Sequence, residues 1–273
     1  MKPRSFTYLK PASLEEATEA LGALREDARI LAGGQSLVPM MNLRLIETQA
    51  LIDISAIAAL AYIRETNGEI EVGAAATQAQ LMHWPKLGAL APLLQAAMPH
   101  VGHFQTRSRG TVCGSIAHSD PSSELPLCLA LLGGSVVLAS ARGRRTMSAE
   151  DFQTGMLMTA RLPDEMVAAV RFPVRKTGAG YAFTEMTQRH GDFAICAVAA
   201  MASGKTTRLA VGGVAEKPTV REWSGLAEID DALNDFAWEL GGADDHHASA
   251  AYRRGLVRRL GRQAIEEARR CSN

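Results

Sequence analysis

Apolar residues recur along this chain at two periods, and the switches between them set out its elements. Residues 6–9, Phe-Thr-Tyr-Leu, read as a short strand. Leu14, Ala17, Ala20, Leu21 and Leu24 then fall at helical spacing, and Ser13 with Glu16 has the spacing of a capping box. Residues 29–32 read as a strand that runs straight into Gly33-Gly34, and 51–54 as another, a βαβ-like start. From 63 to 75 the pattern is a hairpin turned by Asn67-Gly68. Thr77 caps a helix carrying Leu81 and Trp84, a second helix covers 92–101, and a short buried one lies near 125–132. Strands are expected at 136–138 and 167–172, with the polar run Arg142, Gly143, Arg144, Arg145 as a turn between them. Residues 173–180 are mostly polar, rich in glycine and opened by Pro173, which marks a boundary. Beyond it come three strand candidates, 181–186, 194–201 and 208–214, and an amphipathic helix from about 248 to 270. This mixed order argues for α+β rather than a repeating barrel. It divides the chain into 1–175 and a C-terminal domain over 178–273.

Composition removes several function classes. At 273 residues a chain buries roughly 75% of its unfolded surface and needs no staple to fold. Lys plus Arg number 29 and Asp plus Glu 29, so no bulk field draws the protein to nucleic acid or an anionic membrane. Cys113, Cys128, Cys196 and Cys271 form no CxxC pair. That disfavours a disulfide scaffold, a zinc ribbon and an iron–sulfur cluster held by this chain alone, and it suits a reducing cytoplasm. The N-terminus has no apolar signal core. The uncharged stretches 87–106 and 125–141 are broken by Pro92, Pro99, Pro126 and Gly133-Gly134, so neither reads as a membrane span.

Two glycine-bearing segments carry candidate chemistry. The first is Ala32, Gly33, Gly34, Gln35, Ser36, Leu37, directly after a strand. Glycines there let the backbone turn sharply and present N–H groups to an anion such as a diphosphate. It matches neither GxGxxG nor GxxxxGK[ST], and by pattern alone a plain structural turn is the favoured reading over a phosphate cradle. The second runs from Arg109 to Pro126 and is crowded with small and hydroxylated residues, with almost no helix former. Such a stretch suits a surface loop, or a backbone that a flat ligand approaches, with Asp120 and Glu124 accepting hydrogen bonds from ribose or ribityl hydroxyls.

Together, AGGQSLVPMMNLRL (32–45) and TVCGSIAHSDPSSELP (111–126) resemble the flavin-binding medium subunit of molybdenum-containing hydroxylases, the family with relatives of carbon monoxide dehydrogenase and xanthine dehydrogenase. YAFTEMTQRHGDFAI (181–195) and HASAAYRRGLVRRL (247–260) extend the resemblance over essentially the whole chain. It implies an FAD-binding domain of two α+β lobes to about residue 175, then a small three-stranded sheet with helices. It places the FAD diphosphate against Ala32–Leu37 and against the loop of Thr111, Gly114 and Ser115, continued by Ala117 and His118. Asp120 and Glu124 would face the adenosine or ribityl hydroxyls, Val167 the ring system, and Glu185 would sit on a strand near the flavin. The sequence departs from the pattern at Cys113, where glycine is frequent, and at Ser115, where Asp or Asn is. Carbon monoxide dehydrogenase-like members tend to have lysine where Glu185 stands, which leans away from CO as substrate.

Each of the other candidates has a structural reading beside it. Glu185 could equally pair with Arg189, Arg107 and Arg109 with surface acids, and Arg189 with Asp192 across a turn. His246-His247 lacks further metal ligands. Trp84, Trp223, Trp238, Met40 and Met41 read as packing residues. Ser115, His118 and Asp120 lack a nucleophile-elbow context. The functional expectation is an electron-transfer subunit with FAD on this chain and neither catalytic residues nor metal ligands. [2Fe–2S] clusters on a small partner and molybdenum–pterin on a large one would complete a dimer of heterotrimers serving an external acceptor. The alternatives are a free-standing FAD-dependent oxidoreductase and a non-enzymatic nucleotide-binding assembly protein.

Overall fold

The computed structural model describes residues 2–272. The chain opens as a parallel three-stranded sheet in which Thr7–Leu9 and Ala28–Leu31 flank Ala50–Asp53. Helix Leu14–Leu24 connects the first two strands and buries Leu14, Ala17 and Leu21. Ser13 accepts the Glu16 N–H at 3.2 Å, but the Glu16 carboxylate takes the N–H of Ala12, so only half of the expected capping box forms.

The Asn67-Gly68 hairpin forms as read, with both residues at positive φ. Its strands Ile63–Thr66 and Glu69–Gly73 begin a five-stranded antiparallel sheet that continues through Met166–Pro173, Ser135–Ser140 and Gly143–Ser148. The last strand corrects the expectation of a polar turn at 142–145. The reversal is tight, Gly143 already pairs with Ser140, and the strand runs on to Ser148. Nearly all its residues are exposed, so it has no apolar alternation to betray it. Under this sheet Glu71 accepts from Arg171, Tyr62 and Arg64 at 2.7, 2.8 and 2.6 Å. Burial works to raise its pKa, and these bonds overcome that and hold it at about 2.

The C-terminal sheet has four strands, not three: Ala179–Met186, Cys196–Ser203, Thr206–Gly212 and Thr219–Ser224, antiparallel and in chain order. The extra strand is a half-exposed edge that reads as a loop by composition. Cys196–Ser203 explains its own unbroken apolar run. Ala197, Ala199 and Met201 join the main core, whereas Cys196, Val198, Ala200 and Ala202 join a second core. That second core is closed by helices Ile229–Glu239 and Ala250–Arg270. Buried Arg253 ties the long helix to the sheet by donating to the carbonyls of Ile195 and Gly213 and to Asp245. Helix Glu124–Leu132, with seven of nine residues buried, packs on Cys196–Ser203 and Thr206–Gly212 and also on helix Pro92–Ala97. It thereby joins the N-terminal body to the C-terminal sheet. No helix among the described residues is long and apolar enough to cross a membrane.

Candidate functional site

The two glycine-bearing segments, 76 positions apart, meet backbone to backbone at Gly33 and Arg109. A Cβ at Gly33 would stand 2.2 Å from the Arg109 carbonyl oxygen and 2.6 Å from Gly110 Cα. Only glycine permits that approach. Gly34 follows at φ +70°, turning the chain from strand Ala28–Leu31 into helix Leu37–Asn42. Through this turn the backbone N–H groups of Gly33, Gly34, Gln35, Ser36 and Leu37 find no acceptor among the described residues. The Gln35 side chain folds back on the Gly33 carbonyl at 3.1 Å, and Ser36 makes no side-chain capping bond. Ala32 and Leu37 are half-buried. A row of free N–H groups is the donor set an anion requires.

The second segment is not a loop. Thr111 caps a helix, Val112–His118, by accepting the Gly114 N–H at 3.0 Å. Small residues read as loop material because their intrinsic helix propensity is low. Here a cap and burial of Val112, Cys113 and Ile116 against the core override it. We expect Thr111→Ala to lower stability by about 1 kcal/mol and Thr111→Ser to restore most of it, measured by urea unfolding. Ser115 is half-buried, Ala117 exposed, and His118 half-buried, with burial lowering the His118 pKa. Cys113 is packed with its Sγ 3.3 Å from the Val72 carbonyl, and burial pushes the thiol up. It serves as a small core residue.

The helix ends at Ser119, in the left-handed region at φ 53°, whose buried hydroxyl has no partner. Asp120 turns one oxygen onto the Ser122 N–H at 2.8 Å and keeps the other free of protein bonds. Glu124 opens the next helix at 7% exposure. Burial, with the nearby carboxylates of Glu185 and Asp120, pushes its pKa up to about 7. Glu185 does not pair with Arg189. Its Oε1 meets His100 Nδ1 at 3.1 Å, and its buried Oε2 has no partner. The bond from Glu185 raises the His100 pKa despite burial. Val167 is buried in the main core at a bulge of its strand and stands apart from the two segments in this respect. Arg107 is structural, donating to the carbonyls of Val101 and Gly102.

Two residues at this site escaped the sequence reading. His100 has its partner 85 positions away, a pairing that leaves no local signal. Gln78 is buried against Gly110 with its Oε1 unpartnered; a capped helix start gave no reason to single it out. The unpaired N–H row and the unpartnered buried oxygens of Ser119 and Glu185 fit a ligand with an anionic diphosphate and a hydroxylated linker.

Comparison with known proteins decides which ligand. Residues 4–175 match the family described as the FAD binding domain in molybdopterin dehydrogenase. The chain belongs to the FAD-binding medium subunits of the molybdenum hydroxylases. It is 36% identical over 282 residues to the nicotine 6-hydroxylase medium subunit of Paenarthrobacter nicotinovorans, covering 98% of this chain and 99% of that one. It is 34% identical over 283 residues to the carbon monoxide dehydrogenase medium chain of Afipia carboxidovorans, with 98% of each covered. Among solved structures, carbon monoxide dehydrogenase from Hydrogenophaga pseudoflava superposes with a TM-score of 0.92 at 32% identity, covering 100% of both chains. Quinoline 2-oxidoreductase from Pseudomonas putida 86 does so at 0.90 and 30%, covering 99% of both. This medium subunit is therefore the FAD-binding oxidoreductase component of such a complex.

Proposed function

We propose that this medium subunit carries electrons from [2Fe–2S] clusters on a small partner, through FAD, to an external acceptor. The observation that carries the reading is the meeting of the Gly33 turn, with its five free N–H groups, and the Thr111-capped helix. Bound FAD supplies the chemistry of holding electrons that arrive singly and leave as a pair. The residues of this chain bind and orient. Gly33, Gly34, Gln35, Ser36 and Leu37 offer N–H groups to the diphosphate, with Ala32 leading into the turn. Thr111, Gly114, Ser115, Ala117 and His118 form the facing helix. Ser119, Asp120 and Glu124 offer oxygens to the hydroxyls, and Glu185 stands beside them on its strand. Val167 supports the ring side from the core.

The chain divides at about 175–178 into the FAD-binding part and the C-terminal part. Its complex is a cytoplasmic dimer of heterotrimers, and substrate is hydroxylated with oxygen from water at a molybdenum–pterin centre on the large partner, which takes the two electrons and passes them on toward this chain. An N-heterocycle, purine or alkaloid is the substrate class. Relatives named for nicotine, caffeine and quinoline support this, as does Glu185 where carbon monoxide dehydrogenase-like members tend to carry lysine.

Purification from the native source tests the reading. Stoichiometric FAD on this chain, with iron and molybdenum only on co-purifying chains, is the expected result. A flavin-free chain, or turnover by this chain alone, would overturn it.

A further inference from the structure

A short backbone ladder fixes one more side chain against the junction of the two glycine-bearing segments. Thr77 pairs with Thr111 as an isolated antiparallel bridge. Beside it the Gln78 N–H donates to the Gly110 carbonyl at 2.8 Å, and the Val112 N–H to that of Ala76 at 3.2 Å. Thr77 and Gln80 close a reciprocal capping box at the same place, with bonds of 3.1 and 2.7 Å, which sets the direction of residue 78. The Gln78 side chain lies along Gly110: a Cβ there would stand 2.9 Å from Gln78 Oε1. Gly110 Cα in turn lies 2.6 Å from where a Cβ at Gly33 would stand. Gln78 is therefore one residue removed from the turn that carries the free N–H groups.

Gln78 is 6% exposed, its Oε1 is buried without a partner, and its amide makes no side-chain hydrogen bond among the described residues. Gln153 gives the contrast. It is the other buried glutamine with a free oxygen, yet it donates its NH2 to the Pro126 carbonyl at 3.3 Å. A primary amide offers two donors and an acceptor, and native structures seldom bury one with all of them idle. Rotation of the terminal amide exchanges Oε1 and Nε2 without changing its shape, so the same side chain can turn its NH2 toward an anion.

We infer that Gln78 is a further cofactor-binding residue, whose side-chain NH2 donates to the FAD diphosphate where Gly110 meets the Gly33 turn. The inference rests on FAD occupying the site described above. The free N–H row supplies donors from one side of the junction, and Gln78 adds a side-chain donor from the other segment's flank. Arg107, the nearby cation, is engaged by the carbonyls of Val101 and Gly102. The competing role is a brace. The Thr106 carbonyl also stands 2.9 Å from the Cβ position at Gly110 and would accept the rotated NH2. The two roles have opposite signs in the flavin-free chain. A brace stabilises it, whereas an idle buried amide costs it stability until the ligand arrives.

The test measures binding of FAD and of ADP to the complex stripped of flavin, and urea unfolding of the flavin-free chain. ADP carries the diphosphate without the ring system; FAD is followed by flavin fluorescence and ADP by competition. Gln78→Met keeps the length of the side chain and removes both polar atoms. It is expected to raise the Kd of FAD and of ADP alike by about 10- to 100-fold, the range for losing a hydrogen bond to a charged group. The urea midpoint of its flavin-free chain should stay level or rise. Gln78→Glu sets an anion against the diphosphate and should weaken both ligands further. Unchanged Kd values in Gln78→Met, a loss for FAD without one for ADP, or a lower flavin-free midpoint would each overturn the inference while leaving FAD binding by the wild type intact. Failure of both variants to fold would make the amide a brace and overturn it as well. A wild-type complex that takes up no FAD would overturn the functional reading too.

Discussion

Gly33→Ala is expected to lower stability by about 2–3 kcal/mol, within the range for forcing an atom into packed structure, and to reduce FAD retention at least tenfold. The new Cβ would lie 2.2 Å from the Arg109 carbonyl oxygen and 2.6 Å from Gly110 Cα. Both are backbone atoms, so no rotamer change relieves the clash; one segment must withdraw from the other. Arg109 and Gly110 lead directly into Thr111 and its helix, and Gly33 opens the row of free N–H groups. A shift of either therefore separates the two halves of the proposed cofactor cradle. Gly34→Ala serves as the contrast. It meets only the side chains of Leu31 and Val38 at 3.2 Å but imposes φ +70° on a residue with a Cβ, at a cost of about 1 kcal/mol. Urea unfolding and the FAD-to-protein ratio after gel filtration check both. Retention of full FAD by Gly33→Ala would show that the contact between the segments does not shape the site.

In the flavin-free chain, Glu124→Gln should be more stable than wild type by about 3 kcal/mol near pH 8, with the difference closing toward pH 4. The folded-state pKa of Glu124 is raised to about 7 from 4.5, first by burial and then by Glu185 and Asp120. Below the unfolded value both states are protonated and burial of the acid carries no charge penalty. As pH rises from about 4.5 to about 7 the unfolded chain ionises first, and the stability that the neutral acid allowed is lost. Glutamine keeps the shape without the charge. Unfolding free energies of the two proteins across this range should diverge with rising pH; parallel curves would mean that Glu124 is ionised at no cost in the folded protein.

Much of the fold was legible where local chemistry and periodicity agree. Asn67-Gly68 turned its hairpin, Ser13 and Thr77 capped their helices, and the apolar run of Glu124–Leu132 buried itself. What was misread shares one cause. Strands Gly143–Ser148 and Thr219–Ser224 are sheet edges whose side chains are exposed or half-exposed, so backbone pairing makes them strands and no apolar alternation marks them. Helix Val112–His118 is built from poor helix formers, and its cap and the core behind it decide the matter. The same division runs through the site. Gly33, Thr111 and Asp120 stand in motifs readable by eye, whereas His100 and Gln78 are members only because the chain returns to them from a distance.

The order of residues by itself determined the α+β class, the family motifs and the two glycine-bearing segments proposed to hold the cofactor, because turns, caps and short-range spacing are local physics. Only the tertiary structure decided that Gly33 must be glycine against Arg109, that Glu185 pairs with His100 and not with nearby Arg189, and that Glu124 is buried. Those are contacts between residues tens of positions apart. They arise from how the helix Glu124–Leu132 and the C-terminal sheet pack together, and burial and charge act through distances in space that spacing along the chain does not encode.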